Sequence, residues 1–124
     1  KMLKPADGAA GVKDFVIEPV KLAGASPCPP VILGVGFGGS FDKVAYLAKK
    51  ALLREEEYNG DERYRKLEIE LKDMINELGI GPAGLKGNNT CLSVKIEYYP
   101  THIAGLPFAI NVNCHAVRKA VFVI

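Results

Sequence analysis

The sequence predicts a single mixed α/β domain, a small mixed sheet packed with about three helices. Three observations carry this expectation. The chain has 124 residues, 48% apolar and 24% charged, which suits one globular domain able to bury its own core. Helical spacing of apolar residues recurs in three segments, near 11–23, 41–55 and 61–78. Between them lie short β-branched or alternating runs near 31–36, 92–98 and 108–113.

From Gly11 to Gly24, Val12, Phe15, Val16, Val20 and Ala23 fall on one helical face, with Pro19 expected to kink or loosen the second half. The proline cluster ASPCPP cannot continue that helix. Val31 to Val35 then reads as a buried strand, free of charge and β-branched at three positions. Ser40 is placed to cap the next helix, whose stripe is Val44, Leu47, Ala48, Ala51 and Leu52. Asn59-Gly60 breaks the chain, and Asp61 can cap a charged helix with Tyr64, Leu67, Leu71, Met74, Ile75 and Leu78 on its apolar side. The charge run EEEYNGDERYRK is thus a solvated turn and helix face. After the glycine-rich loop GIGPAGLKGNN, strict alternation puts Leu92, Val94, Ile96 and Tyr98 on one face of a strand. YPTHIAGLP is a connector, and Phe108, Ile110, Val112 and Cys114 line one face of the next strand. The closing AVFVI reads as a further strand or the end of a helix.

A formal charge of +2 is too small to imply nucleic acid or an anionic membrane surface, and no apolar run reaches the ~20 residues of a membrane span. Neither kind of partner is expected. Three cysteines without a secretory mark argue for a reducing compartment, the cytoplasm, rather than a disulfide framework. The opening at Lys1, without structural punctuation, reads as a piece of something longer.

VILGVGFGGSFDKVA satisfies the G-x-G-x-x-G spacing through Gly34, Gly36 and Gly39. A dinucleotide site also needs a second strand ending in an acidic residue about 20 positions on, to hold the ribose. Here the chain enters a second charged helix instead. The glycines therefore serve the backbone, letting the helix pack closely on the strand, although a helix N-terminus can still face an anion such as a carboxylate.

Three segments carry a family resemblance: SPCPPVILGVGFGGSFDKVAYLAKKALL, NELGIGPAGLKGNNTCLSVKIEYYPTHIAGLP and FAINVNCHAVRKA. In this order they resemble the α-type region of class I fumarate hydratases and L(+)-tartrate dehydratases, over nearly all of 1–124 except the charged helix near 55–66. The resemblance implies the C-terminal portion of an oxygen-sensitive hydro-lyase with a [4Fe–4S] cluster. Such an enzyme hydrates fumarate to malate reversibly, with an open cluster iron as Lewis acid. Its partners would be a dicarboxylate substrate and a β-type subunit or domain, in an oligomer. L(+)-tartrate dehydratase is the alternative, and a non-catalytic module docking the β-type partner is another.

Residue by residue, Cys28 in Cys-Pro-Pro and Cys114 in Asn-Val-Asn-Cys-His match the family's cluster ligands. The third family ligand lies upstream, in a region with a Gln-Asp-Thr-Gly run that this chain lacks. Cys91 reads as structural, the alternative being that Cys28, Cys91 and Cys114 form the ligand set. His102 matches the histidine that contacts a substrate carboxylate, and strand 108–114 is expected to return the chain to the cluster, bringing both to one site. His115 reads as a supporting donor, and Arg118 as either a carboxylate partner or a surface charge. Where relatives commonly carry Gly-Gly-Lys-Thr, this chain has Lys86-Gly87-Asn88-Asn89.

Overall fold

A computed structural model describes residues 1–116 and 119–124. In chain order the elements are β1 (Met2–Leu3), α1 (Gly8–Ala23), β2 (Val31–Gly38), α2 (Phe41–Leu53), α3 (Glu62–Asn76), β3 (Cys91–Tyr99) and β4 (Leu106–Cys114). Short 3₁₀ turns stand at Pro5–Asp7 and Pro82–Gly84. The sheet order is β1-β4-β2-β3, with β2 parallel to β3 and antiparallel to β4. This is the expected mixed α/β domain with three helices.

Alternation along β2 sorts the two layers. Leu33, Val35 and Phe37 enter the main core with Val12 and Val16 of α1 and Leu71 and Ile75 of α3. The glycines point the other way, toward α2. A Cβ on Gly34 would stand 2.0 Å from the Ala48 carbonyl oxygen, and one on Gly36 would stand 2.4 Å from that of Val44. Only glycine lets helix backbone and strand backbone approach so closely. The G-x-G spacing is therefore a packing feature. Across the main core Phe108 meets Phe37 and Phe15 edge-on, at centroid distances of 4.6 and 5.2 Å.

Four local expectations change. α1 runs unbroken through Pro19. Ser40 occupies the N-cap position of α2, but its side chain accepts no helix N–H. Residues 120–124 form neither strand nor helix and are exposed. Strict alternation in β3 fails at its start. Val31 pairs with Cys91 but Ile32 with Ser93, so Leu92 is a bulged residue, 45% exposed, while Cys91 turns into the core.

The outer edge of β3 is plugged by side chains. Asn76 binds both N–H and C=O of Cys91, while the buried Glu68 accepts the Ile96 N–H at 2.7 Å. Arg54 and Asn59 donate to the Ile96 carbonyl, each at 2.9 Å. Arg54 also binds Glu68 at 2.7 Å, and so does the Asn59 N–H. This buried carboxylate was not anticipated. Its signal was an acid at position 68, in step with Tyr64, Leu71 and Ile75 on the apolar stripe.

Candidate functional site

The candidate residues divide between the two ends of the sheet. At the end where β2 begins and β4 stops, Cys28 precedes Val31 by three residues, and Cys114 is the register partner of Val31. Cys28 is exposed, with φ of 55°, a left-handed conformation uncommon for a residue bearing a Cβ. Its N–H donates to the Ala25 carbonyl at 3.1 Å, closing a turn. The His115 Nδ1 lies 3.2 Å from the Cys28 carbonyl oxygen, where it acts as donor and ties the residue after Cys114 to the Cys28 turn. Cys114 is half-buried, and its sulfur accepts the Ala116 N–H at 3.3 Å.

Cys91 flanks Val31 on its other side but is only 2% exposed. Its thiol donates to the Ser93 carbonyl at 3.3 Å, and burial pushes it up to about 12. A thiol held protonated in apolar surroundings is a poor metal ligand. Among the described residues, no group of three or more His, Cys, Asp or Glu side chains converges on one point.

Two free thiols at one sheet end, with a backbone N–H aimed at one sulfur, have the donor chemistry of iron–sulfur ligation. They suit part of a cluster's ligand set. Arg118, the undecided carboxylate partner, lies outside the described residues.

The other end holds His102. Its loop joins β3 to β4 and is pinned to the β2–α2 turn: the Gly39 N–H donates to the Pro100 carbonyl at 3.2 Å, and the Thr101 hydroxyl donates to the Gly39 carbonyl at 3.2 Å. The exposed His102 ring accepts the Ala104 N–H on Nδ1 at 3.1 Å, which places the proton of the neutral ring on Nε2 as an outward donor. Beside it opens a cavity of about 370 Å³ lined by Met2, Ser40, Phe41, Thr101 and His102. The first turn of α2 borders this cavity. Within that turn the Ser40 hydroxyl and local backbone N–H groups hold the Asp42 carboxyl below its ordinary range.

The expectation that β4 brings His102 and Cys114 to one site does not hold. An extended strand of nine residues, Leu106–Cys114, spans about 27 Å at ~3.4 Å per residue. The strand carries the chain away from the histidine loop, so within one chain the two groups sit at opposite ends of the sheet.

The chain is also similar in sequence to known proteins. Residues 1–123 match the family model described as Fumarate hydratase (Fumerase). The chain is 49% identical over 122 residues to the putative L(+)-tartrate dehydratase subunit alpha of Methanocaldococcus jannaschii, covering 98% of this chain and 43% of that protein. It is 35% identical over 125 residues to the L(+)-tartrate dehydratase subunit alpha of Escherichia coli K12, covering 100% of this chain and 41% of that protein. The chain thus spans about two fifths of the length of these curated relatives.

Proposed function

Because the chain belongs to the fumarate hydratase (Fumerase) family, we propose that it is the C-terminal portion of the α-type part of an iron–sulfur hydro-lyase acting on a four-carbon dicarboxylate. Its leading substrate pair is fumarate and malate. The observation that carries the reading is the pairing of two accessible or half-buried cysteines at one sheet end, tied together by the His115–Cys28 contact. L(+)-tartrate is the second reading, favoured by the names of the two relatives above.

Cys28 and Cys114 would hold a [4Fe–4S] cluster together with a ligand from outside this chain. Lewis acidity at the leaving hydroxyl is what such a cluster, with one iron open, supplies when bound. The Ala116 N–H stabilises negative charge on the Cys114 sulfur, and His115 fixes the Cys28 turn. His102 offers an Nε2–H to a substrate carboxylate beside the α2 N-terminus. Since the sheet separates His102 from the cysteines, both roles meet at one substrate only when the histidine loop of one copy faces the cysteine end of another. The working enzyme in this reading is an oligomer that also contains the β-type subunit or domain, and its place is the cytoplasm.

The test is the complete α/β enzyme assayed anaerobically on fumarate and on L(+)-tartrate. Cys28→Ser and Cys114→Ser should each abolish the cluster's visible absorption. His102→Ala should leave that absorption intact and lower kcat/KM by about 10²-fold, the scale of a positioned polar group. A cluster that survives Cys114→Ser refutes the ligand assignment, and unchanged kinetics in His102→Ala refutes the substrate role.

A further inference from the structure

The two edges of the sheet are treated differently. The β3 edge is plugged by Asn76, Glu68, Arg54 and Asn59, whereas the β4 edge has a partner strand only at its beginning. There β1 runs antiparallel, with Met2 opposite Pro107 and Leu3 opposite Leu106. Lys1 exchanges both backbone bonds with Phe108, at 2.8 and 2.9 Å. Because alternate residues of an antiparallel strand face alternate neighbours, the outward N–H and C=O of Phe108 place those of Ile110 and Val112 on the same free side. Past Phe108 no strand covers them among the described residues.

A groove of about 320 Å³ lies along this bare edge. Phe15 and Pro19 of α1 form one wall, and Phe41 and Val44 of α2 form the other, with Ile110 and Val112 between them. Open backbone groups flanked by apolar walls on both sheet faces are the requirements for an added strand: main-chain bonds supply affinity and alternate side chains fill the walls.

We propose that the segment preceding Lys1 in the full-length protein continues β1 along β4, antiparallel, and runs toward the Cys114 end. This rests on the reading that the chain is the C-terminal portion of a longer α-type protein, whose relatives extend well beyond the matched region. Two features favour this occupant over a second copy. Lys1 already lies in register on the edge, and a foreign strand would have to abut it end to end. The register is fixed as well: the residue k positions before Lys1 faces residue 108 + k, as Met2 faces 107 and Leu3 faces 106. The residues nearest Lys1 should then be apolar on both faces, matching the two walls.

Amide hydrogen exchange on the full-length protein tests this. Ile110 and Val112 should exchange at least about 100-fold more slowly than an open edge allows, at protein concentrations that leave subunit contacts dissociated as well as at high concentration. Val112→Pro removes one outward N–H while leaving the β2–β4 bonds in place. It should speed exchange in the upstream segment and at Ile110, and leave the amides bonded between β2 and β4 protected. Fast exchange at Ile110 and Val112 in a folded full-length protein overturns the proposal, and protection that appears only on oligomerisation assigns the edge to a second copy. A gene that encodes nothing upstream of Lys1 would instead overturn the reading beneath it.

Discussion

Glu68 shows how much one side chain can organise. Its carboxylate, 1% exposed, joins α3, the end of α2, the 54–61 connection and the edge of β3 through Arg54, Asn59 and Ile96. Glu68→Ala leaves Arg54 without its buried partner and Ile96 without its acceptor, so chemical denaturation should show a loss of about 3–5 kcal/mol. Glu68→Gln, which keeps an acceptor, should lose less. The cysteines divide as sharply. Iodoacetamide at pH 8 should label Cys28 in the native protein and spare Cys91 until the chain unfolds. Burial raises the folded Cys91 thiol from an ordinary 9.0 to about 12. Its contribution to stability is therefore present below pH 9 and lost as pH rises from there toward 12. Denaturation midpoints across that window should fall less in Cys91→Ala than in the parent.

At the scale of elements, the junction of β2 and α2 depends on absent side chains. Gly36→Ala sets a Cβ 2.4 Å from the Val44 carbonyl oxygen, so the helix must lift from the strand, at a cost of about 1–3 kcal/mol. Gly60→Ala is the control, since nothing lies within 4 Å of its added Cβ, and it should change stability by less than about 0.5 kcal/mol. Thermal melts of the pair check both. Elements were legible where periodicity ran long: α2 and α3 lie within two residues of the expected ends, and β2 extends two residues past its own. β1 was not legible, because two residues carry no period and owe their strand geometry to β4. Alternation does not mark the start of β3, because a bulge interrupts it there.

For the whole molecule, strand order was the missing information. His102 and Cys114 are twelve positions apart, which suggests proximity until Leu106–Cys114 is known to be one extended strand. Periodicity reports which face a residue occupies, and nothing about which end of the sheet its loop occupies. The same topology makes a specific demand on the assembly. If histidine and cysteines from different copies share a substrate, co-assembling His102→Ala chains, impaired alone by about 10²-fold, with Cys114→Ser chains, which lack the cluster, should raise activity well above either parent, because one site in the mixed oligomer keeps both groups intact. Activity assays on tagged mixed oligomers read this directly, and no recovery would place the two roles at separate sites. The bulge at Leu92 has a different kind of consequence. β3 carries one residue more than its ladder with β2 uses, and the surplus is taken up before Val94 and Ile96 enter the core. Descent can lose that residue and keep the fold, since deleting Leu92 restores regular pairing and still leaves Cys91 facing inward. A deletion three or four codons later would reverse every side chain that follows. Length variation among descendants of this chain should therefore be tolerated at the first turn of β3 and purged from its middle.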